Sequence, residues 1–252
     1  MPAVPNLLVL GTSDSDGSQL ARRELAWPWL VAQSLETAGS AWALTHTRYY
    51  ATAPGALGYL ERQLGASAPD VVILSVTLYA YSMRTVANRI RHVAGKRAGD
   101  WAEARFRWFD ARTGRGQAAD ATDRASRLNR SAHWFARRVL GTAPEASTRE
   151  VWDAYRATVE RLAREENARV IVIGSFPFTG AIERENAKAR SFQLAFNARM
   201  RGLCRERRIG WVDPEFMRDS DVDALYSDAL HFTAAAHQRV ADAVHSALEH
   251  RG

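Results

Sequence analysis

The sequence predicts a three-layer α/β/α sandwich built on a mostly parallel, five-stranded sheet. Short apolar runs alternate with amphipathic helical patterns along the 252 residues, which is typical of strands connected by crossover helices. The run at 71–76 is apolar at almost every position, as expected for a central strand covered on both faces. A hydrophobic fraction of 46% supplies one sizeable core, so we expect a single domain over residues 1–252.

Five strands are expected, and helical patterns connect them. The strands are predicted at 6–10, 41–49, 71–76, 169–173 and 210–213. A helix at about 18–37 follows the first strand, and Pro28 should bend or restart it. A short helix around Tyr59 follows the second strand, and a long amphipathic helix precedes the fifth. Thr233 should cap the last helix of the chain.

The segment from about 83 to 168 does not fit a minimal sandwich. It contains no convincing strand, and its apolar residues recur at helical spacing. Helices are expected near Val86, Trp134 and Trp152, and the composition at 114–123 indicates a loop. We therefore expect a helical insertion at about 83–168, placed over one end of the sheet.

Composition narrows the possible partners. The net charge is +6, but the arginines fall mostly on helical patterns among acidic residues, which favours solvated helix faces over an anionic partner. We recognise no nucleic-acid-binding motif, no metal-ligand spacing and no phosphate loop, so neither nucleic acid nor a cofactor is expected. No apolar run is long enough to span a membrane, the N-terminus lacks a signal-peptide pattern, and Cys204 is alone. These features favour a cytoplasmic protein, and they leave its oligomeric state undetermined.

The first strand runs directly into a polar turn that begins at Gly11 and ends at Gly17. In a parallel sheet this turn lies at the carboxyl end of the strand, where such folds bind ligands. The turn carries two serines, Ser13 and Ser15. A serine at this place is a candidate nucleophile for attack on an acyl group.

A second polar motif stands near the other end of the chain. Asp228 precedes His231 by three residues, just ahead of the last helix. This spacing lets the carboxylate reach the imidazole and fix its tautomer, so that the second ring nitrogen can accept a proton. A nucleophile, a base and a carboxylate that orients the base are what acyl transfer through a serine requires.

The two motifs resemble the first and last blocks of the SGNH (GDSL-type) serine hydrolases. In the register of that family, Gly11 and Gly17 take the two glycine positions of the first block, so Ser13 rather than Ser15 is the expected nucleophile. The family's usual aspartate before the serine is Thr12 here. The resemblance implies the flavodoxin-like SGNH fold.

The same resemblance implies the roles of the remaining site residues. His231 is expected to be the general base and Asp228 the carboxylate that orients it. Gly55, in the turn after the second strand, would donate a backbone hydrogen bond to the oxyanion, with Gly58 as the alternative. The N–H of Ser13 would donate another.

The third oxyanion donor departs from the family pattern. The position of the usual asparagine after the third strand falls on Tyr79, whose hydroxyl either donates to the oxyanion or belongs to a ring that lines the acyl pocket. Thr77, Ser82 and Asn88 are the other candidates.

We expect a serine hydrolase that cleaves an ester of a small acyl substrate through an acyl-enzyme. An acyltransferase and a non-catalytic binding domain on the same scaffold are the alternatives.

Overall fold

The computed structural model describes residues 4–17, 19–37, 41–103, 141–219, 221–228 and 230–249. The chain divides into two compact units. The first contains residues 1–79 together with 148–252, and the second contains residues 80–147.

The described ranges contain short strands, most of them separated by helices. The strands are β1 (Asn6–Gly11), β2 (Ala43–Arg48), β3 (Val71–Ser75), β4 (Arg84–Thr85), β5 (Ala143–Pro144), β6 (Arg169–Ile173) and β7 (Gly210–Val212). The helices are α1 (Trp27–Thr37), α2 (Ala56–Ser67), α3 (Tyr79–Ser82), α4 (Val86–Ala94), α5 (Thr148–Leu162), α6 (Gly180–Glu185), α7 (Ala189–Glu206) and α8 (Ala234–Glu249).

The main sheet lies in the first unit and confirms the predicted fold class. Its strand order is β2-β1-β3-β6-β7, and every neighbouring pair is parallel. In the register, Leu8 lies opposite Val72 on one side and Thr45 on the other. The five strands fall where the sequence places them, with ends that differ by at most two residues.

Both faces of the central strands are buried, which explains their continuous apolar runs. On one face, Leu7, Val9 and Ile73 pack in a core with Trp27 of α1 and Val240 of α8. The residues between them in the strands face the other way and are also fully buried. They include Leu8, Leu10, Val72 and Leu74. Burial on both faces is the hallmark of a sheet between two helical layers.

The predicted first helix begins later than expected. Residues 23–25 form a single 3₁₀ turn, and α1 begins at Trp27 with Pro28 as its second residue. Proline is tolerated there because the first N–H groups of a helix have no partner within the helix. Pro28 therefore marks a helix start rather than a bend.

The second unit is partly helical, as the sequence predicts. It contains α4, a helical segment at 96–103 and a two-residue antiparallel ladder between β4 and β5. Thr85 caps α4, since its hydroxyl accepts from the N–H of Asn88 at 3.0 Å. The expectation of no strand within 83–168 is wrong for β4 and β5, whose two-residue length gives no periodic signal in the sequence.

Of the elements predicted in the insertion, some can be located in the structure and others fall outside the described residues. The loop at 114–123 and the helix near Trp134 lie outside the described residues. The helix predicted near Trp152 is α5, and it belongs to the first unit. The single-domain assignment and the placement of the insertion over one end of the sheet stay predictions.

Candidate active site

The turn after β1 folds around Thr12. The carbonyl oxygen of Thr12 accepts hydrogen bonds from the Ser15 N–H at 3.0 Å and from the Ser15 hydroxyl at 2.7 Å. The Thr12 hydroxyl donates to the carboxylate of Asp14. At the end of the turn, the carboxylate of Asp16 accepts two hydrogen bonds from the Arg48 guanidinium. The turn looks polar in sequence, yet Thr12, Asp14, Ser15 and Asp16 are all at least nine-tenths buried.

The two serines of this turn have different surroundings. Ser15 is fully buried, and its Oγ also lies 2.9 Å from Nε2 of His46. Since the Ser15 hydroxyl donates its proton to Thr12, the His46 nitrogen acts as the donor in that contact. Burial of the ring lowers the pKa of His46 from 6.5 to about 4, and the positive charge of Arg23 contributes to the same shift to a smaller extent. Ser13 is partly exposed, and within the described ranges its hydroxyl has no hydrogen-bond partner.

Asp228 and His231 are joined by their side chains. Nδ1 of His231 lies 2.8 Å from Oδ2 of Asp228. Oδ1 of the same carboxylate accepts from the backbone N–H groups of Leu230 at 2.7 Å and His231 at 2.8 Å. Partial burial would raise the pKa of Asp228, but these three hydrogen bonds outweigh it and hold that pKa below 3.8.

This pairing fixes the tautomer of the imidazole. An ionised carboxylate only accepts, so Nδ1 of His231 is the donor and Nε2 carries a lone pair. The histidine loop is held on its other side by Ser227, whose N–H donates to the His231 carbonyl at 2.8 Å. A side chain oriented in this way can take a proton from a hydroxyl that comes within reach of Nε2.

The serine turn and the histidine loop lie near each other. A positive charge on the His231 ring favours the charged form of Asp14, the neighbour of Ser13, so the two side chains lie within electrostatic reach of each other. Within the described ranges, no hydrogen bond joins Ser13 to His231. Catalytic hydrogen bonds are often long in a protein without substrate and tighten once the reacting group is bound.

Gly55 stands immediately before α2 in a left-handed conformation. Its φ is +76°, which glycine adopts without a steric penalty. Within the described ranges, the N–H groups of Ser13 and Gly55 donate to no acceptor. Two backbone donors of this kind are suited to binding a developing oxyanion.

Tyr79 occupies the position at which the family resemblance places an asparagine. Its hydroxyl lies 3.1 Å from the carbonyl oxygen of Leu230 and donates to it, in the loop that carries His231. The preceding chain is held by Tyr155, whose hydroxyl accepts from the Thr77 N–H and donates to the Thr77 carbonyl, both at 2.9 Å. Of the other candidates, Thr77 lies in the first unit, whereas Ser82 and Asn88 belong to the second.

A small cleft opens at the carboxyl ends of β3 and β6. It is lined by Asp14, by the loops after the two strands and by Tyr226. Burial raises the pKa of Asp14 above its ordinary 3.8, and hydrogen bonds from the Thr12 hydroxyl and its own N–H partly oppose the rise. Asp14 is not among the site residues predicted from the sequence, because its only signal there is a carboxylate placed directly after the candidate nucleophile.

The described ranges contain neither a cluster of metal ligands nor a helix suited to crossing a membrane. No group of three or more His, Cys, Asp or Glu residues there could hold a metal ion. None of the helices in those ranges has the length and apolar character needed to cross a membrane.

Comparisons with known proteins place the chain in a family. The GDSL-like lipase/acylhydrolase family matches residues 9–239. No curated protein matches the sequence. Among solved structures, a lipase/acylhydrolase from Enterococcus faecalis is similar, with a TM-score of 0.58 and 11% identity over 97% of this chain and 95% of that chain. The acetyl xylan esterase AlAXEase has a TM-score of 0.56 and 15% identity over 96% of this chain and 99% of that chain.

A third structure gives the same result. The protein TesA has a TM-score of 0.56 and 13% identity, over 97% of this chain and 98% of that chain. At these identities the likeness concerns the fold, whereas the family match extends over nearly the whole sequence. The chain therefore belongs to the GDSL-like lipase/acylhydrolase family of SGNH-type, ester-cleaving enzymes.

Proposed function

We propose that this protein is a serine esterase that cleaves its substrate through an acyl-enzyme on Ser13. The observation that carries the proposal is the 2.8 Å contact between Asp228 and His231, which leaves Nε2 of the imidazole ready to accept a proton. His231 lies within electrostatic reach of Asp14, the residue after Ser13. This supports the placement of the base beside the Ser13 turn.

The first half of the reaction forms the acyl-enzyme. Oγ of Ser13 attacks the ester carbonyl carbon while its proton passes to Nε2 of His231. The negative charge on the tetrahedral oxygen is stabilised by the N–H groups of Ser13 and Gly55. The bond from carbon to the alcohol oxygen then breaks, and the leaving alcohol takes the proton from Nε2. Asp228 stabilises the charged imidazole during both transfers.

The second half repeats these steps with water. Water attacks the acyl carbon and gives a proton to Nε2, and the second tetrahedral intermediate collapses to release the carboxylic acid. The proton returns from Nε2 to Oγ of Ser13. In the transferase alternative, a hydroxyl or amine takes the place of this water.

A fluorophosphonate probe tests the proposal, because it forms a covalent bond with an activated serine. We expect labelling of the wild-type protein on Ser13, mapped by peptide mass spectrometry. Ser13→Ala should abolish labelling, whereas the control variant Ser15→Ala should keep it. An adduct on Ser15, or no adduct on a folded wild-type protein, would overturn the assignment. Products from a simple ester, assayed with and without added alcohol, separate hydrolysis from acyl transfer.

A further inference from the structure

The cleft beside the Ser13 turn is lined by apolar and aromatic side chains together with Thr77, Ser175 and one carboxyl group. Val76 comes from the loop after β3 and Tyr79 from the start of α3, whereas Phe176 and Phe178 come from the loop after β6. Asp14 contributes the carboxyl group, although only 3% of its surface is exposed. Burial of a carboxyl group is costly unless its oxygens have hydrogen-bond partners.

The two tyrosine hydroxyl groups that line the cleft donate to backbone carbonyls. The Tyr79 hydroxyl donates to Leu230, and the Tyr226 hydroxyl donates to the carbonyl of Pro177 at 2.6 Å. They are therefore not arranged to donate to Asp14.

The two oxygens of Asp14 differ in their partners. Oδ1 accepts from the Thr12 hydroxyl. Within the described ranges, no other residue donates a hydrogen bond to Oδ2. A nearly buried acceptor that lines a cleft, next in sequence to the candidate nucleophile, is suited to a donor group that arrives with the substrate.

We infer that Asp14 is a specificity residue, whose Oδ2 accepts a hydrogen bond from a hydroxyl or ammonium group on the substrate bound in this cleft. The inference rests on the proposed function, since it assumes that the ester reacts at Ser13. The carboxyl group would then favour esters that carry such a donor over apolar esters of the same shape. A site built around a hydrogen bond rejects analogues that lack the donor more strongly than an apolar pocket rejects a small change in size.

Matched ester sets test the inference. On the acyl side, p-nitrophenyl 3-hydroxybutyrate and 3-aminobutyrate are compared with p-nitrophenyl 3-methylbutyrate, in which a methyl group replaces the donor. On the alcohol side, the 1-acetate of propane-1,2-diol is compared with isobutyl acetate. The readout is the ratio of kcat/KM within a set, so a change in overall activity cancels.

We expect the wild-type enzyme to prefer the donor-bearing ester by about tenfold or more in at least one set. Asp14→Leu should bring that ratio close to one. Asp14→Asn keeps an acceptor oxygen without the charge, so it should retain a preference for hydroxyl and lose one for ammonium. The set that responds identifies the side of the ester that the cleft holds.

Equal kcat/KM values across both wild-type sets would overturn the inference, and so would an unchanged ratio in Asp14→Leu. If Asp14→Leu does not fold, the wild-type ratios and Asp14→Asn still decide the matter. Labelling of Ser13 without any preference rejects only the role of Asp14. Absence of labelling and of ester cleavage in the folded wild-type protein rejects the proposed function itself.

Discussion

A Cβ atom placed on Gly11 would lie 2.0 Å from Oγ of Ser15 and 2.7 Å from its Cβ. The glycine that ends β1 and the buried serine of the turn thus occupy one space. Ser15 cannot move away without losing its hydrogen bonds to Thr12 and His46. A larger residue at position 11 would therefore collide with Ser15, which explains the glycine there. Ser15 itself is a buried residue that packs inside the turn.

Gly11→Ala should therefore destabilise the protein. The added methyl group must displace Ser15 from a packed interior, which costs about 1–3 kcal/mol of unfolding free energy. Ser15→Gly removes both clashing atoms, so the double variant Gly11→Ala/Ser15→Gly should lose less than the sum of the two single changes. Urea unfolding of the four proteins measures this coupling. Additive losses would show that the two positions do not share space.

The sequence predicted the central strands β1, β3 and β6 well because each carries a continuous apolar run. β3 and β6 are buried on both faces, and this burial is visible as the runs at 71–76 and 169–173. The interior of the turn after β1 could not be predicted in the same way. A run of threonine, serine and aspartate is typical of a solvated loop. Here all of these side chains except Ser13 are buried, and their polar groups bond to one another and to Arg48 and His46.

His231→Ala should lower kcat by several orders of magnitude, because no base then takes the Ser13 proton. Asp228→Asn should lower it as well, since the neutral amide no longer stabilises the charged imidazole or the required tautomer. Thermal melting shows whether each variant is folded. Near-normal turnover of a folded His231→Ala would contradict the proposed role of the histidine.

Asp228→Asn has a second measurable consequence. The low pKa of Asp228 depends on its charge-assisted contact with the ring and on two backbone N–H groups. A carboxyl group with a depressed pKa stabilises the folded protein above its unfolded value of 3.8, and this stability is lost as the pH falls through the folded pKa. The group is about half exposed, so we expect only a small loss of stability at neutral pH.

Tyr79→Phe distinguishes two roles of the phenol. The hydroxyl donates to the Leu230 carbonyl beside His231, so its removal should cost about 1 kcal/mol of stability and loosen the histidine loop. We expect kcat to fall by less than about tenfold. A fall of about 10²-fold or more in kcat with KM unchanged would instead indicate a direct oxyanion donor. Melting temperature and steady-state kinetics on the same preparation separate these outcomes.

The role of Tyr79 illustrates what sequence reasoning could not reach. Alignment with the family pattern places the tyrosine at the asparagine position, but it does not reveal the partner of its hydroxyl. That partner, Leu230, is 151 residues away in the chain. Contacts of this kind depend on how two loops meet at the edge of the sheet, and no local pattern records them.

Two buried histidines away from the proposed triad should make stability depend on pH. Burial lowers the pKa of His237 from 6.5 to about 4, and that of His46 shifts in the same direction to about 4. Nδ1 of His237 accepts from the Trp27 N–H at 3.2 Å, an acceptor role that protonation of this nitrogen would remove. Both rings are therefore neutral in the folded protein at pH values where the same two histidines are protonated in the unfolded chain.

Stability should consequently fall as the pH drops from about 6.5 towards 4. In this range the unfolded chain binds protons that the folded chain does not, whereas above 6.5 both states are neutral at these positions. A shift of this size corresponds to at most about 3 kcal/mol for His237. His237→Gln keeps an acceptor for Trp27 but has no proton to bind, so its unfolding free energy should fall less steeply over the same range. Urea unfolding of both proteins between pH 4 and 7 measures the two slopes, and equal slopes would show that His237 does not carry this dependence.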